Sequence, residues 1–207
     1  ASKRAFASWA ETSIESRAKH LERFADTLEV SYAAFMDLLI REAGKTWEDA
    51  IAEIREAIDF LRYYAHQART TLCDERLPGP TGETNQLTYH GRGVMVCISP
   101  WNFPMAIFLG QIAAAIVSGN TVLAKPAEQT PLIAHQLIML WQSLGLPKHV
   151  IQLVQGGRSI AKFLVSQQDI AGVMFTGSTA TAQSIATALV NQPGPIRPLI
   201  AETGGMN

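Results

Sequence analysis

Residues 94–104 read VMVCISPWNFP: an unbroken apolar run, Val94 to Ile98, then a Trp-Asn-Phe trio held between Pro100 and Pro104. An apolar run of this length, closed by a proline turn, predicts a short strand buried on both faces. Asn102 then has two readings. It shapes the turn, or it aims its side-chain amide at a reacting atom, in which case the chemistry has to lie nearby.

Outward from this stretch, strands and helices alternate. Met105 to Ser118 is an apolar helix closed by Gly119-Asn120 in the manner of a C-cap. Thr121 to Ala124 forms a second strand ending at Lys125. Thr130-Pro131 then supplies the N-cap and first position of a helix that runs to Leu144 and stops at Gly145. A third strand covers 150–154, followed by Gly156-Gly157 and a helix near 159–166. A fourth covers 172–175, followed by TGST (176–179) and a helix to about Val190, and a fifth covers 199–201. Apolar strands alternating with helices predict a doubly wound α/β core, a parallel sheet with helices on both faces.

The first third reads as helical. Thr12 and Glu15 form a candidate capping box ahead of Ile14, Ala18, Leu21, Phe24, Ala25 and Leu28. A second helix spans about 31–42 and stops at Gly44. Thr46 with Asp49 caps a third, whose stripe of Ile51, Ile54, Ile58, Leu61 and Ala65 reads as core packing. LPGPTGE (77–83) breaks the helical pattern, Leu87-Thr88-Tyr89 alternates weakly, and Gly91-Arg92-Gly93 leads into the first core strand. The expected division is a helical N-terminal layer over 1–76, a connecting loop with short strands over 77–93, and the α/β core over 94–207.

Composition excludes several classes. The 207 residues are 47% hydrophobic and 17% charged with net charge −1, which fits a folded globular chain and gives no basic surplus for nucleic acid. The longest apolar stretch, Met105 to Val117, is too short and too interrupted for a membrane span. Cys73 and Cys97 form no CxxC pair and no disulfide framework, so a reducing, cytoplasmic compartment is expected. His20, His66, His90, His135 and His149 lack metal-ligand spacing, and no metal is expected. The first residues, ASKRAFASWAETS, hold no signal peptide and no initiating Met, and the chain reads as a piece of a longer protein.

In a doubly wound sheet, ligands bind beyond the carboxyl ends of the strands. Those ends here carry SPWNFP (99–104), KPAE (125–128), TGST (176–179) and ETGG (202–205), so one site is predicted. Gly177-Ser178 opens a helix whose free N–H groups suit a phosphate, or simply caps it. The run GSTATA is not GxGxxG, since Ala182 stands where a third glycine would. Lys125 and Glu128 reach the hydroxyls of a nucleotide ribose, favouring an unphosphorylated 2′-OH, or are an ordinary strand end and surface carboxylate. Glu202 is a general base raised in pKa by a dry cleft, with Gly204 and Gly205 allowing close backbone approach, or a cap or ion-pair carboxylate.

Taken together in order, VCISPWNFP, GNTVLAKPAEQTP, VMFTGST and LIAETGGMN resemble the first half of the NAD(P)-dependent aldehyde dehydrogenase superfamily. ERFADTLEV and REAGKTWEDAIAEI resemble its leading helices, so the resemblance covers essentially the whole chain. AIDFLRYYAHQAR, GETNQLTYHGRGV, AKPAEQTP and the ending ETGGMN resemble more narrowly the L-glutamate γ-semialdehyde dehydrogenase part of bifunctional proline-utilisation flavoenzymes. Met206 departs from the lysine found there in many other members. The resemblance implies a Rossmann-like sheet, NAD as cofactor, a small aldehyde substrate and a homo-oligomeric parent, with FAD in an upstream domain absent here. It implies that Asn102 donates to an oxyanion and that Glu202 activates water. Lys125 and Glu128 then hold the adenosine ribose, Gly177 and Ser178 the pyrophosphate, and Ser99, Pro100, Trp101 and Gly204 wall the cofactor groove.

Covalent oxidation of an aldehyde also needs a thiolate. Cys97 lies inside a strand, where a thiol is packing, and Cys73 is remote in sequence from every site segment. The resemblance places the nucleophile beyond Asn207, and this stretch alone is expected to be inactive. The competing class is a non-catalytic NAD-binding or interaction module of the same fold.

Overall fold

The computed structural model describes residues 1–204; Gly205, Met206 and Asn207, named in the sequence reading, lie outside the described residues. Helices α1 (Ser2–Ala10), α2 (Ile14–Val30), α3 (Tyr32–Ala43) and α4 (Trp47–Thr71) come first, then the antiparallel pair β1 (Glu75–Leu77) and β2 (Asn85–Leu87). The core follows as β3 (Val94–Ile98), α5 (Ala106–Val117), β4 (Thr121–Lys125), α6 (Pro131–Ser143) and β5 (Ile151–Leu153). It ends with α7 (Arg158–Val165), β6 (Ile170–Gly177), α8 (Thr179–Val190) and β7 (Leu199–Thr203).

The core strands pair in parallel in the order β5-β4-β3-β6-β7. The chain steps outward from β3 through β4 to β5, then crosses back to β6 on the far side of β3. Connections therefore leave β3 and β6 in opposite directions, which opens a crevice at their carboxyl ends. Register sets Ile98 of β3 beside Lys125 of β4 and Phe175 of β6, and Thr176 of β6 beside Glu202 of β7. The last residues of these strands therefore reach one edge together.

Both faces of the sheet are covered, as the apolar strands require. Met95 and Cys97 point into a cluster built with α1, α2, α4, α5 and α6, where Phe24 stacks on Trp141 at 4.4 Å. Val96 and Ile98, one residue out of phase, point into a second cluster with α7 and α8. The first cluster joins residues on both sides of position 76, so the N-terminal helices are a layer on the sheet. Helix α5 is apolar all round because it lies between that layer and the sheet. Its carboxyl end is tied to the layer: Trp9 Nε1 donates to Ile116 O at 2.9 Å and Arg17 Nε to Val117 O at 2.8 Å.

Several local expectations shift. Helix α1 was not anticipated, because its start has no side-chain cap and only Ser2 and Trp9 of its residues are buried. Helix α2 is capped by Ser13, which accepts from Ser16 N, and Thr12 instead donates to Ser8 O. Thr130 makes no cap; the Glu42 carboxylate accepts from Leu132 N at 2.7 Å and Ile133 N at 2.8 Å, a long-range substitute. Thr46 does cap α4 through Asp49 N. Residues 77–83 lie across the turn between β1 and β2, and β2 ends at Leu87.

Candidate active site

A groove of about 720 Å³ lies along the carboxyl ends of β3, β4, β6 and β7. Ser99, Pro100, Trp101, Asn102, Lys125, Glu128, Gly177, Ser178, Glu202 and Gly204 all line it, so the residues read from separate segments of sequence meet in one place. The groove is walled also by Thr176 of the TGST segment and by Gln129, Gly157 and Arg158, which the sequence reading did not assign to the site. Gly157 had a signal: it follows β5, and the rule applied to the other strand ends reaches it equally.

On the β3 side, the loop after Ile98 is pinned by Ser99 N donating to Lys125 O at 3.2 Å. Ser99 Oγ and Asn102 Oδ1 are both buried without a hydrogen-bond partner among the described residues. Buried polar atoms are ordinarily satisfied, so two orphans on one groove wall mark it as built for a polar ligand. Trp101 and Phe103 present exposed ring faces beside them.

On the β4 side, Lys125 is buried, not an exposed strand end, and its Nζ donates to Pro126 O at 2.7 Å. Burial pushes its ammonium below the ordinary lysine range, and the Glu128 charge opposes that shift. The exposed Glu128 carboxylate lies over Gly157, where any Cβ would collide with its Oε2. Glycine at 157 leaves room for the Glu128 carboxylate in this position; a larger residue would turn that exposed side chain aside.

On the β6 side, Ser178 is the N-cap of α8 and its Oγ accepts from Thr181 N at 3.3 Å. A side chain at Gly177 would run into the Phe175 ring, at 2.6 Å from its tip. Gln111 of α5 donates from Nε2 to Ile98 O at 3.3 Å and to Thr176 Oγ1 at 3.0 Å. Thr176 in turn donates to Glu202 Oε2 at 3.4 Å. This chain of contacts ties β3, β6 and β7 together at the crevice.

Glu202 departs from the expectation in two ways. It sits within β7, not after it, and it is exposed, so the described residues do not enclose it in a dry cleft. Its negative charge still reaches across to Tyr64 of α4, whose phenol is raised above its ordinary value chiefly by burial and further by Glu202. Neither thiol reaches this groove's lining. Cys97 is buried in β3, and burial pushes its thiol far above the ordinary range; Cys73 is exposed between α4 and β1. Among the described residues no group of His, Cys, Asp and Glu gathers as a metal site, and no helix is long and apolar enough to cross a membrane.

Residues 1–207 match the aldehyde dehydrogenase family across their whole length. The chain belongs to that family. Among aldehyde dehydrogenase relatives, the bifunctional protein PutA of Klebsiella aerogenes is 50% identical over 204 residues, which are 96% of this chain and 15% of that protein. The 1-pyrroline-5-carboxylate dehydrogenase 2 of Bacillus subtilis is 41% identical, over 99% of this chain and 41% of that one. The crystal structure of a Bradyrhizobium japonicum proline utilization A mutant superposes with TM-score 0.97 at 54% identity, covering 99% of this chain and 21% of that chain. The sequence thus spans a minor part of the relatives it matches, and what it carries of the aldehyde dehydrogenase fold is the parallel sheet with its covering helices.

Proposed function

We propose that this chain is the NAD-binding part of an enzyme that oxidises L-glutamate γ-semialdehyde, the hydrolysis product of pyrroline-5-carboxylate, to glutamate in proline catabolism. The observation that carries this reading is the meeting of SPWNFP, KPAE, TGS and ETG on one groove at the switch point of the sheet. Support for the substrate comes from the relatives named PutA and 1-pyrroline-5-carboxylate dehydrogenase, at 50% and 41% identity.

The groove suits a dinucleotide. Ser178 and the first turn of α8 offer hydroxyl and N–H donors to a pyrophosphate. Lys125 and Glu128 offer a donor and an acceptor to ribose hydroxyls, and a carboxylate there disfavours a 2′-phosphate. Beyond Arg158, an apolar slot of about 420 Å³ between α7 and α8, lined by Ile98, Val165, Phe175 and Ile185, accepts a flat ring system. When bound, NAD supplies the hydride acceptor. The chain's own residues then act on the aldehyde: Asn102 donates its amide N–H to the carbonyl oxygen as negative charge develops, and Glu202 takes a proton from the water that releases the acid.

Titrating NAD into this chain by calorimetry tests the cofactor assignment. Saturable binding is expected, and Lys125→Ala weakens it by roughly tenfold or more, the loss of one charge-assisted hydrogen bond. Absence of binding by the unaltered chain overturns the assignment. A steady-state assay with glutamate semialdehyde and NAD is expected to show no turnover by the isolated chain, since Cys97 is packed in β3 and Cys73 lies off the groove. Turnover by a homogeneous preparation would place the nucleophile within these residues.

A further inference from the structure

Glu53 lies mid-way along α4 among Ala50, Ile54, Ala57 and Ile58, all buried, and is itself only 1% exposed. A carboxylate on an apolar helix face is costly unless it is both paired and hydrogen-bonded. Here it is both. Oε1 accepts from Met105 N at 2.8 Å and Ala106 N at 3.3 Å, and Oε2 lies 3.0 Å from Lys45 Nζ. Lys45 Nζ in turn stands 4.1 Å from the centre of the Phe103 ring.

These contacts fall on the residues that follow Asn102. Phe103 is held by the cation, and Met105 and Ala106, where α5 begins, are held by the carboxylate. Met105 offers α5 no side-chain cap of its own, and the N–H groups of Met105 and Ala106 at the helix start are satisfied from α4. Lys45 is itself fixed on both sides. Gly44 takes the left-handed conformation that ends α3, φ 66°, and Thr46 caps α4. The pair therefore joins two rigid helix ends to the loop that carries the Asn102 amide. A cap supplied by a local Ser or Asp would satisfy the same N–H groups without setting where that loop sits relative to α4.

We propose that the Lys45–Glu53 ion pair is a positioning device for Asn102: it fixes the 99–105 loop from the α4 side, so that the amide meets the developing oxyanion. The proposal rests on the reading of Asn102 as the oxyanion donor. It separates Glu53 from the cofactor residues, because neither Lys45 nor Glu53 lines the groove.

A double-mutant cycle in the full-length enzyme that contains this chain tests it. Glu53→Gln lowers kcat/KM for the aldehyde at saturating NAD by about 10- to 100-fold, the scale of a small misplacement of a reacting group. In an Asn102→Ala background the same change moves kcat/KM by less than about twofold, since the coupled partner is gone. In both, the calorimetric Kd for NAD shifts far less than kcat/KM does in the first, since Lys125, Glu128 and Ser178 stay in place and only the groove wall at 99–101 is touched. Lys45→Met repeats the pattern with the α5 cap retained, and it decides the matter alone should Glu53→Gln fail to show cooperative melting. An equal loss in both backgrounds, or no loss in a folded variant, overturns the positioning role while Asn102→Ala remains impaired. An unimpaired Asn102→Ala overturns the oxyanion reading itself, and this proposal with it.

Discussion

Asn102→Ala in the full-length enzyme lowers kcat/KM for the aldehyde by about 10²–10³, the usual cost of deleting one oxyanion donor. The Kd for NAD, measured by calorimetry on the same variant, changes little. The structure explains why the two readouts separate. Asn102 projects from a loop bracketed by Pro100 and Pro104, and its Oδ1 is buried without a partner among the described residues. The side chain lines the groove, and it is the amide N–H, not this oxygen, that the oxyanion reading calls on. The polar cofactor contacts are assigned instead to Lys125, Glu128 and Ser178, beyond other strands of the sheet, and Ser99, Pro100 and Trp101 of this loop serve only as groove wall. An Asn102→Asp variant sharpens the test, because it keeps the size and places a negative charge where one has to develop. Its loss is expected to exceed that of Ala. A variant with unchanged kcat/KM would leave Asn102 as a turn residue only.

The sheet was legible in the sequence because its strands are buried on both faces. Val94 to Ile98, Val122 to Ala124 and Val173 to Phe175 have no polar residue to interrupt them, and each has a Gly or Asn within two residues before it. What failed were features satisfied over long range. Thr130 looked like the cap of α6, yet the cap is Glu42, 90 residues before the Leu132 N–H it accepts from. Glu53 drew no reading beside the apolar stripe of α4, because its partners are the Met105 and Ala106 N–H groups across the fold and Lys45 before the helix. Periodicity reports which face of a helix is buried, not what meets it. Helix α1 escaped because its attachments are long-range: the Trp9 indole donates to the end of α5, and Ser2 bonds to Gln152 and Thr121.

The groove residues were found for a different reason. Parallel strands end at one edge, so inspecting the residues after each strand collects a site without knowledge of any contact. That reasoning placed Lys125 and Ser178 at the groove, and it omitted Gly157 only because the end of β5 was passed over. It did not fix enclosure. Glu202 was expected in a dry cleft, and the register instead sets it on β7, the outer strand of the sheet, where it is exposed. Burial depends on what lies across from a strand, which the strand's own sequence does not encode.

Exposure of the carboxylate shapes what its replacement should do. Glu202→Gln keeps the side-chain length and leaves an oxygen to accept from Thr176, but it removes the proton acceptor. In the full-length enzyme, loss of a general base is worth about 10²–10⁴ in the step it serves. In the proposed reaction that step is attack of water on a thioester formed with the enzyme's thiol, after hydride has left the substrate. A rapid-mixing experiment therefore shows a burst of reduced NAD close to one per active site, followed by a steady rate slowed by that factor. The burst is the discriminating observation. If Glu202 instead served to generate the thiolate, the variant would lose the burst together with the steady rate. Thr176→Val provides the companion measurement. It deletes the hydroxyl that joins Gln111 to Glu202, so it is expected to slow the same late step by a smaller factor and leave the burst intact.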